Sequence, residues 1–376
     1  MKDSEINRKL PALMICIIVL VFTVWLCIGK KKEFSEQENR YLSSFPEFSW
    51  ESLKEGDYTA ELESYLADHF PLRDFFMGVR TSFELATGSR EINDVYIADD
   101  GYLIEKYQKP QNTEKIIRAF KGLKESVKEA EVYLMLVPTA SVIYNDKLPK
   151  GAPVNSQLET MSQIYEEASC KPVYVLEALE HYKEGEEPLF YRTDHHWTSF
   201  GAYIAYQEFC SAKGFEAADS DSLEKKVVTE EFKGTVYSKV NDYMHEGDEI
   251  TIYENPALKL TVHYTDMGEV SDSLYNYDYL EKKDKYSFFL NNIHPLIEIT
   301  NETASTEEEL VLVKDSYANC MVPFLVNHYR RIYVVDPRYY KQSVSELVND
   351  NPAVKDVLLL YNMNTIDTDL GIGGIY

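Results

Sequence analysis

Positive charge is what this sequence has least of. Its 376 residues include 38 Lys and Arg against 63 Asp and Glu, which gives a formal net charge of −25 at pH 7. Surfaces that bind nucleic acid are basic because they must attract a phosphate backbone, so this balance argues against a nucleic-acid partner. The same acidity disfavours broad contact with an anionic polymer.

Cysteine is also scarce, and its spacing indicates no metal site. Of the five cysteines, Cys16 and Cys27 lie in one apolar run, which leaves Cys170, Cys210 and Cys320. These three lack metal-ligand spacing, and their odd number does not indicate a disulfide framework. A disulfide bridge between Cys170 and Cys210 is an alternative, although we expect free buried thiols.

The apolar run near the N-terminus extends from Leu10 to Gly29. About 20 residues in a helix cross the hydrocarbon core of a bilayer, and no small-residue cleavage site follows this run. We therefore predict an uncleaved transmembrane anchor, with the large domain outside the cytoplasm. The predicted layout is a tail over 1–9, the anchor over 10–29, a juxtamembrane linker and helical segment over 30–94, and the large domain over 95–376.

Beyond residue 95, strand-like apolar runs alternate with helical patterns. After a hairpin with an Asp-Gly turn over 95–104, strands are predicted at 132–137, 172–176, 189–191, 309–313, 331–335 and 357–361. Such alternation predicts an α/β fold with a parallel sheet flanked by helices. Residues 213–309 break the alternation and are predicted to be a β-rich insertion lying over the sheet's edge.

Residues 194–197, which read Asp-His-His-Trp, place a carboxylate, two imidazoles and an indole on consecutive positions. A histidine that acts as a general base needs an acceptor at Nδ1 to fix its tautomer. Residues two apart in an extended segment project to the same side, so Asp194 is predicted to meet His196 while His195 points away. Such a pair needs only a nucleophile, and Ser316 is the candidate.

Four loops that follow predicted strands carry the polar candidates. Sites in open parallel sheets form at the carboxyl ends of strands, so these side chains are expected to meet. Singly, each has an ordinary structural explanation as a helix cap, a core histidine or an ion pair, and their common placement is what indicates a site. The candidates are Asp194, His195 and His196, then Ser316 and Asn319, then Arg338, and last Asn362 and Asn364.

Residues 193–197 and 314–317 resemble the signatures of DHHW-motif proteins, which are similar to the alginate O-acetyltransferase enzymes of the SGNH-hydrolase-like superfamily. The likeness extends to residues 38–40, 45–46, 70–74 and 336–340, and so covers most of the chain beyond the apolar run. It implies an SGNH-like fold, with Ser316 as nucleophile, His196 as base and Asp194 as its partner. Candidates for substrate binding or an oxyanion site are Asn319, Arg338, Asn362, Tyr317 and Trp197.

The resemblance implies an extracytoplasmic, membrane-anchored O-acetyltransferase that modifies a cell-surface polysaccharide. A membrane-bound O-acyltransferase would supply the acetyl groups, and no cofactor is expected. An acetylesterase of the same fold would share the chemistry as far as the acetyl-enzyme. A metal-dependent phosphoesterase is a further alternative, although it needs more acidic ligands at strand ends than this chain offers before Asp194. The last alternative is a non-catalytic glycan-assembly subunit.

Overall fold

The computed structural model describes residues 2–35, 37, 38, 40–242 and 244–376, and of residues 2–9, 27 and 221 it describes the backbone alone. Asn39, which belongs to one of the motifs that carry the resemblance, lies outside the described residues. The chain divides into two units. One consists of residues up to Ser89 with Ser238–Met244, and the other of Arg90–Tyr237 with His245–Tyr376.

The first unit is mainly helical. Its helices are interrupted around Pro71, because the residue that precedes a proline is disfavoured in the helical conformation. Its elements are α1 (Lys2–Ile28), β1 (Phe34–Ser35), β2 (Arg40–Tyr41), α2 (Trp50–Glu55), α3 (Asp57–Asp68) and α4 (Arg73–Ala86).

Ion pairs within this unit join two of the motifs that carry the resemblance. Arg40 donates to both carboxylate oxygens of Asp68, at 3.0 and 2.5 Å, and Asp68 also accepts from the N–H of Ser43 at 2.8 Å. Arg73 Nη1 lies 2.8 Å from Glu38 Oε2. The charged residues of these motifs therefore form an ion-pair cluster within the first unit.

The predicted transmembrane anchor falls almost entirely within α1. Among the helices of the described residues, none is both long and apolar enough to cross a membrane. The anchor predicted over residues 10–29 therefore has no support from the structure.

The second unit contains the remaining strands and nearly all of the remaining helices. The elements that follow α4 are β3 (Glu91–Ile92), β4 (Val95–Ile97), β5 (Leu103–Glu105), α5 (Thr113–Ser126), β6 (Glu131–Val137), α6 (Ala140–Ile143), α7 (Leu158–Glu167), β7 (Lys171–Val173), α8 (Leu176–Tyr182), α9 (Ser199–Lys213), β8 (Glu224–Phe232), α10 (Thr235–Val240), β9 (Asp248–Glu254), β10 (Leu260–Tyr264), β11 (Glu269–Ser271), β12 (Leu296–Asn301), β13 (Glu309–Lys314), α11 (Val322–Leu325), β14 (Arg331–Val335), α12 (Val344–Asp350) and β15 (Val354–Asn362).

An eight-stranded sheet in the order β11-β10-β12-β14-β13-β15-β6-β7 forms the centre of this unit. The five strands from β14 to β7 are parallel, as predicted. The other three are antiparallel to their neighbours, so the sheet is mixed. β13 lies between β14 and β15, which puts the residues after Lys314 at the middle of the sheet's carboxyl edge.

Residues 213–309 are β-rich as predicted, but the prediction that they lie over the sheet's edge is wrong. β12 pairs with β14 from Leu296 opposite Val335 to Thr300 opposite Arg331, and β10 and β11 continue the same sheet outward. Burial along β12 alternates between buried and half-buried residues, as expected of an antiparallel strand with one wetter face. Such a strand lacks the continuous apolar run by which the parallel strands are recognised.

The apolar runs of the parallel strands are continuous because helices cover both faces of the sheet. In β6, Val132, Leu134 and Leu136 belong to one buried cluster, which includes residues of α5, α7 and α12. The alternate residues Tyr133 and Met135 belong to a second cluster, on the face covered by α8, α9 and α11. A strand buried on both faces needs apolar residues at every position.

Two short segments differ from the conformation that the sequence predicts, which is a strand at 189–191 and a β-like piece at 236–238. Residues 189–191 form no strand of the sheet, although Phe190 forms an isolated bridge, and Val236 to Ser238 lie in α10. Three residues are too few for periodicity to separate a strand from a helix or a loop. Cys170 and Cys210 are free and buried, so the bridge between them does not form.

Candidate active site

The Asp-His-His-Trp stretch forms a tight loop that its own backbone closes. Phe190 and Trp197 pair in an antiparallel bridge, and the N–H of Tyr191 donates to the carbonyl oxygen of His196 over 3.2 Å. Thr198 follows, and its side chain accepts a hydrogen bond at the N-terminus of α9. The loop is therefore set between a bridge and a capped helix, which leaves its middle residues little freedom.

A buried carboxylate from β9 fixes the entry to this loop. Asp248 accepts from the N–H of Arg192 at 3.0 Å and from the N–H and hydroxyl of Thr193 at 2.8 and 2.6 Å. Burial raises the pKa of Asp248 above the ordinary value of an aspartate. These donors offset the cost of burying it, and they place the loop relative to β9.

The turn after β13 is built around a second buried carboxylate. Asp315 accepts from the N–H of Tyr317 at 2.9 Å and from the N–H of Asn362 at 2.7 Å, and Thr365 donates its hydroxyl to the same side chain. A 3-10 helix begins at Ser316. Asp315 thus ties the end of β13 to the end of β15 and presents Ser316 at the sheet's carboxyl edge.

Three side chains from these two segments form a continuous chain of hydrogen bonds. Nε2 of His196 lies 2.7 Å from Oγ of Ser316, and Nδ1 of His196 lies 2.5 Å from Oδ1 of Asp194. The predicted contact of His196 with Ser316 is therefore confirmed, as is its contact with Asp194. Since an ionised carboxylate only accepts, Nδ1 carries the proton, and Nε2 is the acceptor for the serine hydroxyl.

The prediction that His195 points away from this cluster is wrong. Its ring centroid lies 3.9 Å from that of His196, and its Nδ1 lies 2.7 Å from Oγ1 of Thr235 and 3.6 Å from Asp194. Alternation of side chains applies to an extended strand, whereas this segment is a bent loop, so neighbouring side chains converge.

Burial and neighbouring charge set the protonation of the pair. Burial, together with the nearby imidazole of His195, lowers the pKa of His196 to about 4, against an opposing effect of Asp194. Burial alone would raise the pKa of Asp194, but the two imidazoles and the hydrogen bonds it accepts outweigh burial and leave its pKa lowered. At neutral pH, His196 is thus an uncharged base beside an ionised carboxylate.

The depressed pKa of His196 also links folding to pH. The unfolded chain binds a proton near the ordinary histidine value of 6.5, whereas the folded chain resists protonation until about 4. The folded state therefore has the full stabilisation from neutral His196 above pH 6.5 and loses it as the pH falls through that window.

Tyr286 also belongs to the site, although the sequence does not single it out. Its ring stacks on the imidazole of His196 with centroids 3.7 Å apart and planes 9° apart. Its hydroxyl donates to the carbonyl oxygen of Ser316 at 3.1 Å. One buried side chain thus contacts both the imidazole and the backbone of the serine.

Thr235 and Gly234 were also missed. The N–H and hydroxyl of Thr235 donate to Oδ2 of Asp194 at 2.7 and 3.0 Å. A Cβ on Gly234 would lie 2.2 Å from the same oxygen, so only glycine allows this close approach. No periodicity or motif marks these residues, because the hydrogen bonds between Thr235 and Asp194 join residues 41 apart in the chain.

Two of the predicted substrate-binding residues are buried and use their polar groups internally. Nε1 of Trp197 donates to the carbonyl oxygen of Tyr317 at 2.7 Å, and the hydroxyl of Tyr317 donates to the carbonyl oxygen of His195. Both side chains are almost fully buried. Their contacts favour a role in joining the loop to the serine turn over direct contact with substrate.

Asn319 and Arg338 belong to a polar cluster beside the serine turn, in which Asn319 is buried and Arg338 is half-buried. Lys314 donates to Oδ1 of Asn319 at 2.8 Å, and Arg338 donates to both oxygens of Asp336 at 2.8 and 2.6 Å. Lys314 Nζ lies 3.7 Å from Asp336, which connects the two pairs. Asn362 donates to the carbonyl oxygen of Val137 and is fully buried.

Asp194, His195 and His196 offer one carboxylate and two imidazoles within 4.8 Å of one another, a set that could hold a metal ion. Two ligands of one tetrahedral ion at about 2.1 Å would lie roughly 3.4 Å apart. Oδ1 of Asp194 and Nδ1 of His196 lie 2.5 Å apart, the separation of a hydrogen-bonded pair. This geometry favours a hydrogen-bonded pair over metal ligation.

Comparison with known proteins relates this chain to a described family. A family model described as DHHW protein matches residues 86–335. The probable alginate O-acetylase AlgJ of Pseudomonas putida is 20% identical over 181 residues, which are 46% of this chain and 47% of that protein. The chain thus spans about half the length of the curated relative that it matches.

Solved structures share the fold. A DHHW family protein from Eubacterium siraeum superposes with a TM-score of 0.64 at 24% identity, covering 75% of this chain and 95% of that one. Bacillus cereus PatB1, in a structure with a sulfonyl adduct, superposes with a TM-score of 0.60 at 22% identity, covering 72% of this chain and 95% of that one. The likeness shows a mixed α/β fold with a large central sheet, and the finer SGNH-like assignment stays a prediction.

The stacking of Tyr286 on His196 predicts the effect of removing the ring. In Tyr286→Leu, water reaches the imidazole, so the pKa of His196 should rise by about one unit toward the ordinary histidine value. Tyr286→Phe keeps the stacked ring and should shift the pKa much less. Titration of the imidazole nitrogens by NMR measures both, and an unchanged pKa in Tyr286→Leu would show that the ring does not exclude water.

Proposed function

This chain belongs to the DHHW protein family, and from that premise we propose that it is an O-acetyltransferase that uses Ser316, His196 and Asp194 to acetylate a polysaccharide. One observation carries the proposal, the hydrogen-bond chain from Oγ of Ser316 through the imidazole of His196 to Asp194. The name of the relative from Pseudomonas putida, a probable alginate O-acetylase, supports both the acetyl group and the polysaccharide.

In the first half-reaction, Ser316 takes the acetyl group from an ester donor. Its hydroxyl proton passes to Nε2 of His196 while Oγ forms a bond to the acetyl carbonyl carbon. The bond from that carbon to the donor oxygen then breaks, and the leaving oxygen takes the proton from His196. Asp194 stays ionised and stabilises the imidazolium that forms in between.

The negative charge that develops on the acetyl oxygen needs donors beside Ser316. Within the described chain, the backbone N–H of Ser316 has no hydrogen-bond partner. Asn319 lies three residues further along the same 3-10 helix, which puts it on the same side as Ser316. Because Lys314 donates to Oδ1 of Asn319, the amide nitrogen faces away from that lysine. We assign oxyanion stabilisation to these two groups.

In the second half-reaction, a sugar hydroxyl attacks the acetyl carbon and gives its proton to His196. The bond from that carbon to Oγ breaks, and Ser316 takes the proton back. With water in place of the sugar, the same steps give an acetylesterase. The chemistry of the first half-reaction is shared, so the acceptor decides between the two activities.

We propose, as the sequence predicts, that this activity is located outside the cytoplasm at the cell membrane. A membrane-bound O-acyltransferase would be the source of the acetyl groups. A cell-surface polysaccharide is reached only from that side. Protease added to intact protoplasts should digest the large domain, and full protection of the domain would contradict this location.

Ser316→Ala should remove covalent acetylation. Wild-type protein incubated with p-nitrophenyl acetate should gain one acetyl mass, and an aryl sulfonyl fluoride should label the same residue. Ser316→Ala should form neither adduct, whereas Ser345→Ala, which lies in α12, should form both. Intact-protein mass spectrometry reads both, and an adduct that persists in Ser316→Ala would exclude Ser316 as the nucleophile.

Replacement of the two histidines should have unequal effects on the first half-reaction. His196→Ala removes the group that accepts the serine proton and should slow acetylation of Ser316 by roughly 10²–10⁴-fold. His195→Ala leaves that acceptor in place and should retain more activity. Burst kinetics with p-nitrophenyl acetate compare the two, and equal, complete losses would reject His196 as the sole base.

A further inference from the structure

His195 lies beside the reacting groups without taking part in the hydrogen-bond chain. Its ring centroid is 3.9 Å from that of His196, with the planes 37° apart. Its side chain is 21% exposed, against 6% for His196. A polar ring that stands next to the proposed base and reaches solvent is in a position to meet whatever enters the site.

The hydroxyl of Thr235 fixes which nitrogen of His195 carries the proton. Oγ1 of Thr235 lies 3.0 Å from Oδ2 of Asp194 and 2.7 Å from Nδ1 of His195. The hydroxyl has a single hydrogen, so it can donate to only one of these two atoms. The carboxylate can only accept, so Thr235 donates to Asp194 and must accept from His195. In the neutral ring, Nδ1 of His195 therefore carries the proton, and Nε2 has a free lone pair.

Nε2 of His195 is left without a role inside the protein. Its edge of the ring is opposite the edge that faces Thr235 and Asp194, and in the described part of the chain no hydrogen-bond partner contacts it. His196 shows the same tautomer, since its Nδ1 donates to Asp194 and its Nε2 faces Ser316. Two neighbouring rings thus present unprotonated nitrogens, one toward the serine and one toward solvent.

We propose that Nε2 of His195 binds a second hydroxyl of the acceptor, next to the hydroxyl that receives the acetyl group. The acceptor would then be a vicinal diol of a sugar ring, with one hydroxyl on His196 and its neighbour on His195. This proposal rests on the proposed function and deepens it. A water molecule can occupy only one of the two positions, so the pair of imidazoles favours transfer to a diol over hydrolysis.

His195 exchanges no proton in this scheme. The attacking hydroxyl gives its proton to His196 and forms the new bond to the acetyl carbon, while the bond to Oγ of Ser316 breaks. The neighbouring hydroxyl keeps its proton and donates a hydrogen bond to His195. His195 is therefore an acceptor-binding residue, and Thr235 is a positioning residue that acts through it.

Two substitutions separate the two nitrogens of His195. The amide of His195→Gln reaches about the position of Nε2, whereas the amide of His195→Asn reaches only that of Nδ1. The full chain is given p-nitrophenyl acetate with cis-1,2-cyclohexanediol or, as the matched acceptor with one hydroxyl, cyclohexanol. The ratio of acetylated alcohol to free acetate is measured for each acceptor.

Wild-type protein and His195→Gln should prefer the diol over cyclohexanol. One lost hydrogen bond of ordinary strength should lower that preference roughly 3- to 10-fold in His195→Asn. Equal preferences in all three proteins, or a loss in His195→Gln as large as in His195→Asn, would overturn the proposal. The proposed function fails separately, if wild-type Ser316 forms no acetyl adduct at all.

Discussion

The site depends on the buried carboxylate of Asp194. It accepts from Nδ1 and the backbone N–H of His196 on one oxygen, and from the N–H and hydroxyl of Thr235 on the other. A carboxylate with so little exposure is tolerated only where such donors replace water. The same four bonds set the orientation of His196, the tautomer of His195 and the distance between two segments of the chain. Without the carboxylate of Asp194, His196 and Thr235 would both lose the acceptor of their hydrogen bonds.

Acidic side chains serve the site in more than one place. Asp248 holds the entry to the loop and Asp315 holds the serine turn, each by accepting from backbone N–H groups. A backbone donor is a rigid partner, because its position follows from the chain and not from a side-chain rotamer. Part of the acidity that the composition shows is thus used internally, in fixing loops, and does not describe the surface alone.

The segment between α9 and β13, predicted to be an insertion over the sheet's edge, has two roles in the structure. It extends the sheet through β12, β10 and β11, and it also supplies Gly234, Thr235, Asp248 and Tyr286 to the site. The parallel strands bring Ser316 to the carboxyl edge, as open parallel sheets do. The environment that makes His196 an uncharged base is provided in part by this other segment, because Tyr286 covers one face of its ring.

Features that depend on neighbours along the chain could be predicted from the sequence. The parallel strands were recognisable because burial on both faces demands continuous apolar runs, and Asp194 with His196 because two residues suffice to bring them together. The contact of His195 with His196, and the contacts of Thr235 and Tyr286 with the same site, are seen only in the folded chain. The physical reason is that a hydrogen bond or a ring stack requires atoms at one distance and angle. Between segments 40 or more residues apart, that geometry follows from the path of the whole chain and leaves no local pattern.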